Sequence, residues 1–144
     1  MPMNKKVRGS GDPLPPPRLT QKRVAEIKKL YEELIGFVPP RIEARVGMGS
    51  RVDPDGLELQ EAVRTHFMYP KCFDVKTSQL MLFGILLALM GDAARLHAIA
   101  ARRAGASWEE LWAVAGLAYL FRGLPAANLG AEIIQKLADG EAKA

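Results

Sequence analysis

The sequence predicts an all-α fold, and three observations carry that expectation. Apolar residues recur at i, i+3, i+4 and i+7 along most of the chain, the spacing of one helix face. Helix-start residues and Gly or Pro breaks punctuate those stretches. No stretch reads as a strand.

Residues 1–18 are rich in Pro, Gly and Lys, and Pro13 with Pro15, Pro16 and Pro17 favours extended polyproline backbone. They are expected to form an arm on a surface, ahead of a single domain spanning 19–140. Thr20 stands where it can cap a helix whose apolar face is Val24, Ile27, Leu30, Tyr31, Leu34 and Ile35, stopped by Gly36. Pro39 and Pro40 open a short helix with Ile42 and Val46, expected to end at Gly47 and Gly49. Asp53 then serves as an N-cap, with Pro54 at the first helical position. That third helix is expected to turn Leu57, Val63 and Phe67 inward and to run to Tyr69-Pro70.

Asp74 caps the segment around which the chain is organised. From 80 to 90 every residue but Gly84 is apolar, so this helix has no polar face and needs cover on all sides, from its own chain or a partner. It is too short for a bilayer, which takes roughly 20 apolar residues, and is therefore expected to be a core helix. Gly91 and Asp92 close it. A fifth helix, about 92–104, carries alanine at 93, 94, 98, 100, 101 and 104, small enough for close backbone approach. Gly105 ends it, and Ser107 with Glu110 forms a capping box for a sixth helix with Leu111, Val114, Leu117, Ala118 and Phe121 on one face. The break Gly123-Leu124-Pro125 precedes a last helix bearing Ala127, Leu129, Ile133, Ile134 and Leu137 up to Gly140.

The net charge of +4 is unevenly placed. Residues 1–29 hold eight Lys and Arg against two acidic residues, whereas the remainder holds twelve against fourteen. The basic balance thus belongs to the arm and one helix face, with no aromatic interleaving before Tyr31, so nucleic acid is not an expected partner. No apolar segment precedes Val24, which suggests neither signal peptide nor membrane anchor and a cytoplasmic location. Cys72 is the only cysteine, excluding an internal disulfide and a cysteine-built metal site. His66 and His97 lack any paired ligand spacing, and no Gly-rich phosphate loop occurs, so neither metal nor cofactor is expected.

Several pieces in order resemble the carboxymuconolactone decarboxylase and alkylhydroperoxidase D superfamily. Asp74-Val75-Lys76-Thr77-Ser78-Gln79-Leu80 is similar to that family's D-x-K-T-x-E-L lead into its central helix. His97 follows the apolar helix. Gly105-Ala106-Ser107-Trp108-Glu109-Glu110-Leu111 resembles a G-x-T-x-E-E-I turn, and Gly123-Leu124-Pro125-Ala126-Ala127-Asn128 a G-x-P-A-A-N break. Tyr31 to Pro39 is similar to the family's first helix and F-x-P exit. The resemblance implies a helical subunit stable only as a trimer or hexamer.

Within that family the peroxidase branch uses C-x-x-C-x-x-x-H. Counting back from His97, those cysteine positions hold Met90 and Ala93, neither of which forms a thiolate, and the proton-feeding glutamate aligns with Gln79. Peroxidase chemistry is therefore not expected. The decarboxylase branch lacks the cysteines and keeps the histidine, which implies a cofactor-free lyase or isomerase acting on a small carboxylated lactone or cyclic organic acid from aromatic-compound catabolism. His97 would be the acid/base, Gln79 a hydrogen-bond donor to a developing oxyanion, and Arg122, Arg95 and His66 substrate-binding groups. The alternative is a catalytically degenerate ligand-binding or scaffold subunit. Each residue also has a plainer role: His97 as a core imidazole bonded to a backbone carbonyl, Gln79 as a core amide, Arg122 as a cap for helix carbonyls, and His66 on a wetted helix face.

Overall fold

A computed structural model of the chain describes residues 11–144, and among these seven helices and no strand are found. They are α1 (Gln21–Ile35), α2 (Pro40–Val52), α3 (Pro54–Met68), α4 (Val75–Ala88), α5 (Ala94–Arg103), α6 (Trp108–Arg122) and α7 (Leu124–Ala142). The fold is all-α. No helix among the described residues is long and apolar enough to cross a membrane. The first ten residues of the expected arm lie outside the described residues.

The capping signals act as their chemistry dictates. The side chains of Thr20, Asp53, Asp74 and Ser107 accept from the backbone amides of Arg23, Gly56, Thr77 and Glu110, and Glu110 returns a bond to the Ser107 amide. Residues 15–18 pack against their own chain at the end of α2. There the Arg18 guanidinium donates to the carbonyls of Arg51 (3.2 Å) and Val52 (3.0 Å), and Arg51 donates to the Pro15 carbonyl (2.9 Å). A cation on the last carbonyls of a helix is favourable both as a cap and toward the helix dipole.

Two cores share α5 as a common wall. Phe83 and Leu87 of α4, Ala94, Ala98 and Ala101 of α5, Leu111, Ala115 and Ala118 of α6, and Ala126 and Ile133 of α7 bury one another. On the other side of α5, Ala100 joins Ile27, Tyr31, Leu34 and Ile35 of α1, Val46 of α2 and Leu57 of α3. The alanines of α5 make this possible, since only small side chains let a helix be covered from two sides at close range.

Four expectations need correction. First, α2 does not end at Gly47 and Gly49 but continues to Val52. A Cβ on Gly49 would stand 3.0 Å from Leu57 Cβ, so the glycine marks where α2 crosses α3 rather than where it stops. Second, Val63 and Phe67 do not face inward: they are 57% and 75% exposed. The inward face of α3 is Leu57, Glu61, Arg64 and Met68, because Glu61 finds donors there. Third, α4 is only in part the core helix expected: Phe83 and Leu87 are buried, whereas Met81 and Ile85 lie exposed. Fourth, α6 buries Leu111, Ala115 and Ala118 and leaves Leu117 and Phe121 outside.

At the end of α4 the left-handed residue is Met90 (φ 54°), not a glycine. Its amide bonds the Leu87 carbonyl and the Gly91 amide bonds the Leu86 carbonyl, which is the Schellman pattern of a helix stop. A side chain at this φ costs about 1 kcal/mol.

Glycine packing supplies a test of the helix contacts. A Cβ on Gly130 of α7 would stand 2.8 Å from Ala115 Cβ and 3.1 Å from Leu87, whereas a Cβ on Gly47 of α2 meets nothing. Gly130→Ala is expected to destabilise the fold by about 1–3 kcal/mol through overpacking. Gly47→Ala should stabilise by about 0.5–1 kcal/mol through helix propensity. Denaturant midpoints measure both, and a Gly130→Ala protein as stable as its parent would contradict the close α6–α7 approach.

Candidate functional site

The polar centre of the molecule lies on the seam between the two cores. Gln79, on the first turns of α4, has no exposure, and α5 presents the half-buried His97 to it. Gln79 Oε1 stands 2.7 Å from His97 Nδ1, and Gln79 Nε2 donates to Met68 Sδ on α3 at 3.3 Å. An amide oxygen only accepts, so this orientation of the amide makes Nδ1 the protonated nitrogen of a neutral ring. Nε2 then keeps its lone pair. The bond that holds His97 comes from a side-chain amide, not from the backbone carbonyl expected of a plain core histidine.

Burial, and after it the positive charge of Arg64, depresses the His97 pKa from its ordinary 6.5 to about 4. The imidazole is therefore neutral across the physiological range. It is a proton acceptor of low basicity, held in one tautomer.

Beside this pair lies a second polar cluster. Glu61 of α3 is 3% exposed; it accepts from Tyr31 Oη of α1 (2.7 Å) and from Arg45 Nη2 of α2, which also donates to Tyr31 Oη (2.7 Å). Burial and the bond to Glu61 raise the Tyr31 phenol to about 12, so it remains a donor. Arg64, one turn after Glu61, lies over the Tyr31 ring with 4.0 Å from guanidinium carbon to ring centroid. Two atoms of this cluster, Glu61 Oε2 and Arg64 Nη1, are buried without a hydrogen-bond partner.

Of the residues singled out from sequence, Gln79 and His97 are brought into direct contact. The other three stand apart from them. Arg122 is exposed at the C-terminal end of α6. Arg95 is exposed on α5, lining a cleft with Pro40, Arg41 and Asp92. His66 is exposed on α3, edge-on to Phe67 with ring centroids 4.8 Å apart. Arg41 pairs with Asp92 at 2.9 Å, so Asp92 is a surface ion-pair partner rather than the cap of α5. Cys72 is exposed. Comparison with family models, with curated proteins and with solved structures found no match to the chain.

Among the described residues no group of three or more His, Cys, Asp or Glu side chains is placed to hold a metal ion. Elsewhere, an apolar groove runs between α4 and α6 over Met81, Gly84, Ile85, Val114, Leu117 and Phe121, on the side of α4 away from Gln79. The ion pair of Lys76 with Glu110 (2.8 Å) lies at one end of it.

Sequence reasoning missed Tyr31, Arg45, Glu61 and Arg64 as polar-site residues. The signal was present in α3, where Leu57, Glu61, Arg64 and Met68 keep the i, i+4, i+7, i+11 spacing of one face. A charged pair on such a stripe marks a polar seam.

The depressed imidazole pKa fixes the sign of one pH effect. Between about pH 6.5 and 4 the unfolded chain binds a proton that folded His97 refuses. This contribution to stability is fully present above 6.5 and is lost as pH falls toward 4. Melting temperature is expected to drop over that window in the parent and to drop less steeply in His97→Gln. Equal slopes in the two proteins would show that His97 titrates normally.

Proposed function

We propose that the protein is a cofactor-free lyase or isomerase acting on a small carboxylated lactone or cyclic organic acid, with His97 as acid/base and Gln79 as its orienting partner. The observation that carries this reading is the 2.7 Å bond between Gln79 Oε1 and His97 Nδ1, made by a fully buried amide on an imidazole held neutral. Such an arrangement presents Nε2 as a proton acceptor at neutral pH, the group this chemistry requires. An isomerisation needs one proton taken from a carbon beside the carbonyl and returned elsewhere. In a decarboxylation the electron pair of the breaking carbon–carboxylate bond passes into the conjugated carbonyl as carbon dioxide leaves. That carbon is then protonated from solvent water by way of His97 Nε2, which carries no proton of its own in the neutral ring. The hydroxide left over is taken up by the released carbon dioxide as bicarbonate. The resemblance to the carboxymuconolactone decarboxylase superfamily supports the same assignment, and Met90 and Ala93 at the thiol positions speak against peroxidase chemistry.

With Gln79 fully engaged by His97 and Met68, its role in this reading is orientation rather than donation to an oxyanion. The exposed positions of Arg122, Arg95 and His66 leave them no contact with His97 within one subunit. They belong to the mechanism only if a neighbouring subunit carries them to the site. The second reading, a ligand-binding or scaffold subunit of a homo-oligomer, is favoured by the apolar groove between α4 and α6.

Either reading places the subunit in a trimer or hexamer. Phe121 is 92% exposed, Leu120 69%, Leu117 64% and Ile85 55%, an apolar surface of the kind that marks association. Sedimentation at micromolar concentration is expected to give a multiple of the 15.8 kDa chain mass, and a stable monomer would overturn this part of the proposal.

The catalytic part is tested with His97→Asn on a panel of carboxylated lactones, following carbon dioxide release and loss of the lactone. Turnover should fall roughly a hundredfold or more, while binding of a non-reactive analogue weakens only a few-fold. Undiminished turnover in the folded variant would remove His97 from the mechanism.

A further inference from the structure

Arg64 is a cation without a counter-ion. Its guanidinium carbon lies 4.0 Å from the Tyr31 ring centroid, Nη1 is buried with no acceptor, and it takes part in none of the ion pairs among the described residues. The nearest acid on its own helix face, Glu61, makes no ion pair with it: Glu61 Oε1 is taken by Arg45 and Tyr31, and Oε2 is bonded to neither them nor Arg64. A ring face holds a guanidinium in place through cation–π attraction and consumes none of its N–H donors. An arginine positioned this way, with a desolvated N–H left over, is built to receive an anion.

The position of that N–H relative to the candidate site follows from α3. Met68, one turn beyond Arg64 on the same face, touches Gln79, whose oxygen holds His97. Arg64 therefore faces the same seam as the imidazole, and its charge is felt there. Of the ionisable groups around this seam, α1 supplies Tyr31, α2 Arg45, and α3 Glu61 and Arg64. α4 offers the uncharged Gln79, and α7 meets α5 through apolar Ile133 and Leu137 and through Glu141, whose charge is paired with Arg102 of α5 (2.8 Å).

We propose that Arg64 anchors a small organic monocarboxylate in the seam between α3 and the His97 imidazole. The buried Glu61 carboxylate one turn away has an oxygen without a partner, so a second negative charge on the ligand would be repelled. A monocarboxylate is thus favoured over a dianion such as sulfate. The inference assigns to Arg64 the carboxylate-holding part of the reaction proposed above, and it rests on that reading for its catalytic meaning. Its physical consequence is independent of turnover. An anion on Arg64 offsets the charge that depresses His97, so binding raises the proton affinity of the imidazole, and by reciprocity the anion binds more tightly as pH falls.

The test is an NMR pH titration of the His97 ring at constant ionic strength, in a His66→Asn protein so that one imidazole remains. Propionate, supplied so that its ionised fraction is saturating at every pH of the titration, is expected to raise the His97 pKa by about 1, the scale of a nearby opposite charge. Sodium sulfate at equal ionic strength should have a smaller effect. Arg64→Met should raise the His97 pKa without any ligand and abolish the propionate response. Absence of a propionate effect in the Arg64 protein would overturn the proposal without recourse to any Arg64 variant. An undiminished propionate effect in Arg64→Met would also overturn it, and an equal response to sulfate would remove the preference for a monocarboxylate. A null propionate result alongside a turnover loss in His97→Asn removes Arg64 and leaves the acid/base reading standing. A clear propionate response alongside normal turnover in His97→Asn does the reverse.

Discussion

Keeping Phe83 and Leu87 out of water is the constraint on which the arrangement of the other helices depends. Both side chains are fully buried, on a helix whose mid-section offers no polar residue to face solvent. Burying an aromatic or leucine side chain is worth about 1.5–3 kcal/mol each. α5, α6 and α7 supply much of the cover with alanines and one glycine, beside Leu111 and Ile133. Close approach by small residues fixes helix positions tightly, since there is little side chain to rearrange. That rigidity places α5, and with it His97, at hydrogen-bond distance from Gln79.

The order of helices was legible in the sequence because helix starts are local events. Thr20, Asp53, Asp74 and Ser107 each bond an amide three residues away, so nothing distant is needed to read them. Which face of a helix turns inward is not local. α3 has two stripes that could have been buried, one with Leu59, Val63 and Phe67 and one with Leu57, Glu61, Arg64 and Met68. Hydrophobicity alone selects the first. The structure selects the second, because the polar groups on it meet Tyr31 and Arg45 from helices over fourteen positions away in the chain. The same cause explains Gly47 and Gly49, whose place inside a helix depends on a neighbour, Leu57, on α3.

Two of the six polar residues of the candidate site were legible for a related reason. Gln79 and His97 stand at fixed offsets from strong landmarks, the Asp74 cap and the Gly91 break, so a pattern could find them. Tyr31, Arg45, Glu61 and Arg64 have no such landmark, being drawn from three helices that meet only after folding. Arginines at helix ends, such as Arg122, attract attention in a sequence because their positions are easy to place. A half-buried arginine inside a helix, such as Arg64, does not.

The division into two cores has a consequence for how the molecule opens. The core of α4 to α7 is built from helices contiguous in sequence, so its contacts form with little loop-closure entropy. α1, α2 and α3 rest on that unit largely through one wall of α5 and bury fewer side chains there. Such an attachment defines a separate cooperative unit, in which α1–α3 detaches at a lower free energy than global unfolding. Amide hydrogen exchange would register it as weaker protection in α1–α3 than in α4 and α6. Because Gln79 and His97 lie on the surface from which α3 lifts, each such opening admits water to the imidazole while the helices that carry it stay folded.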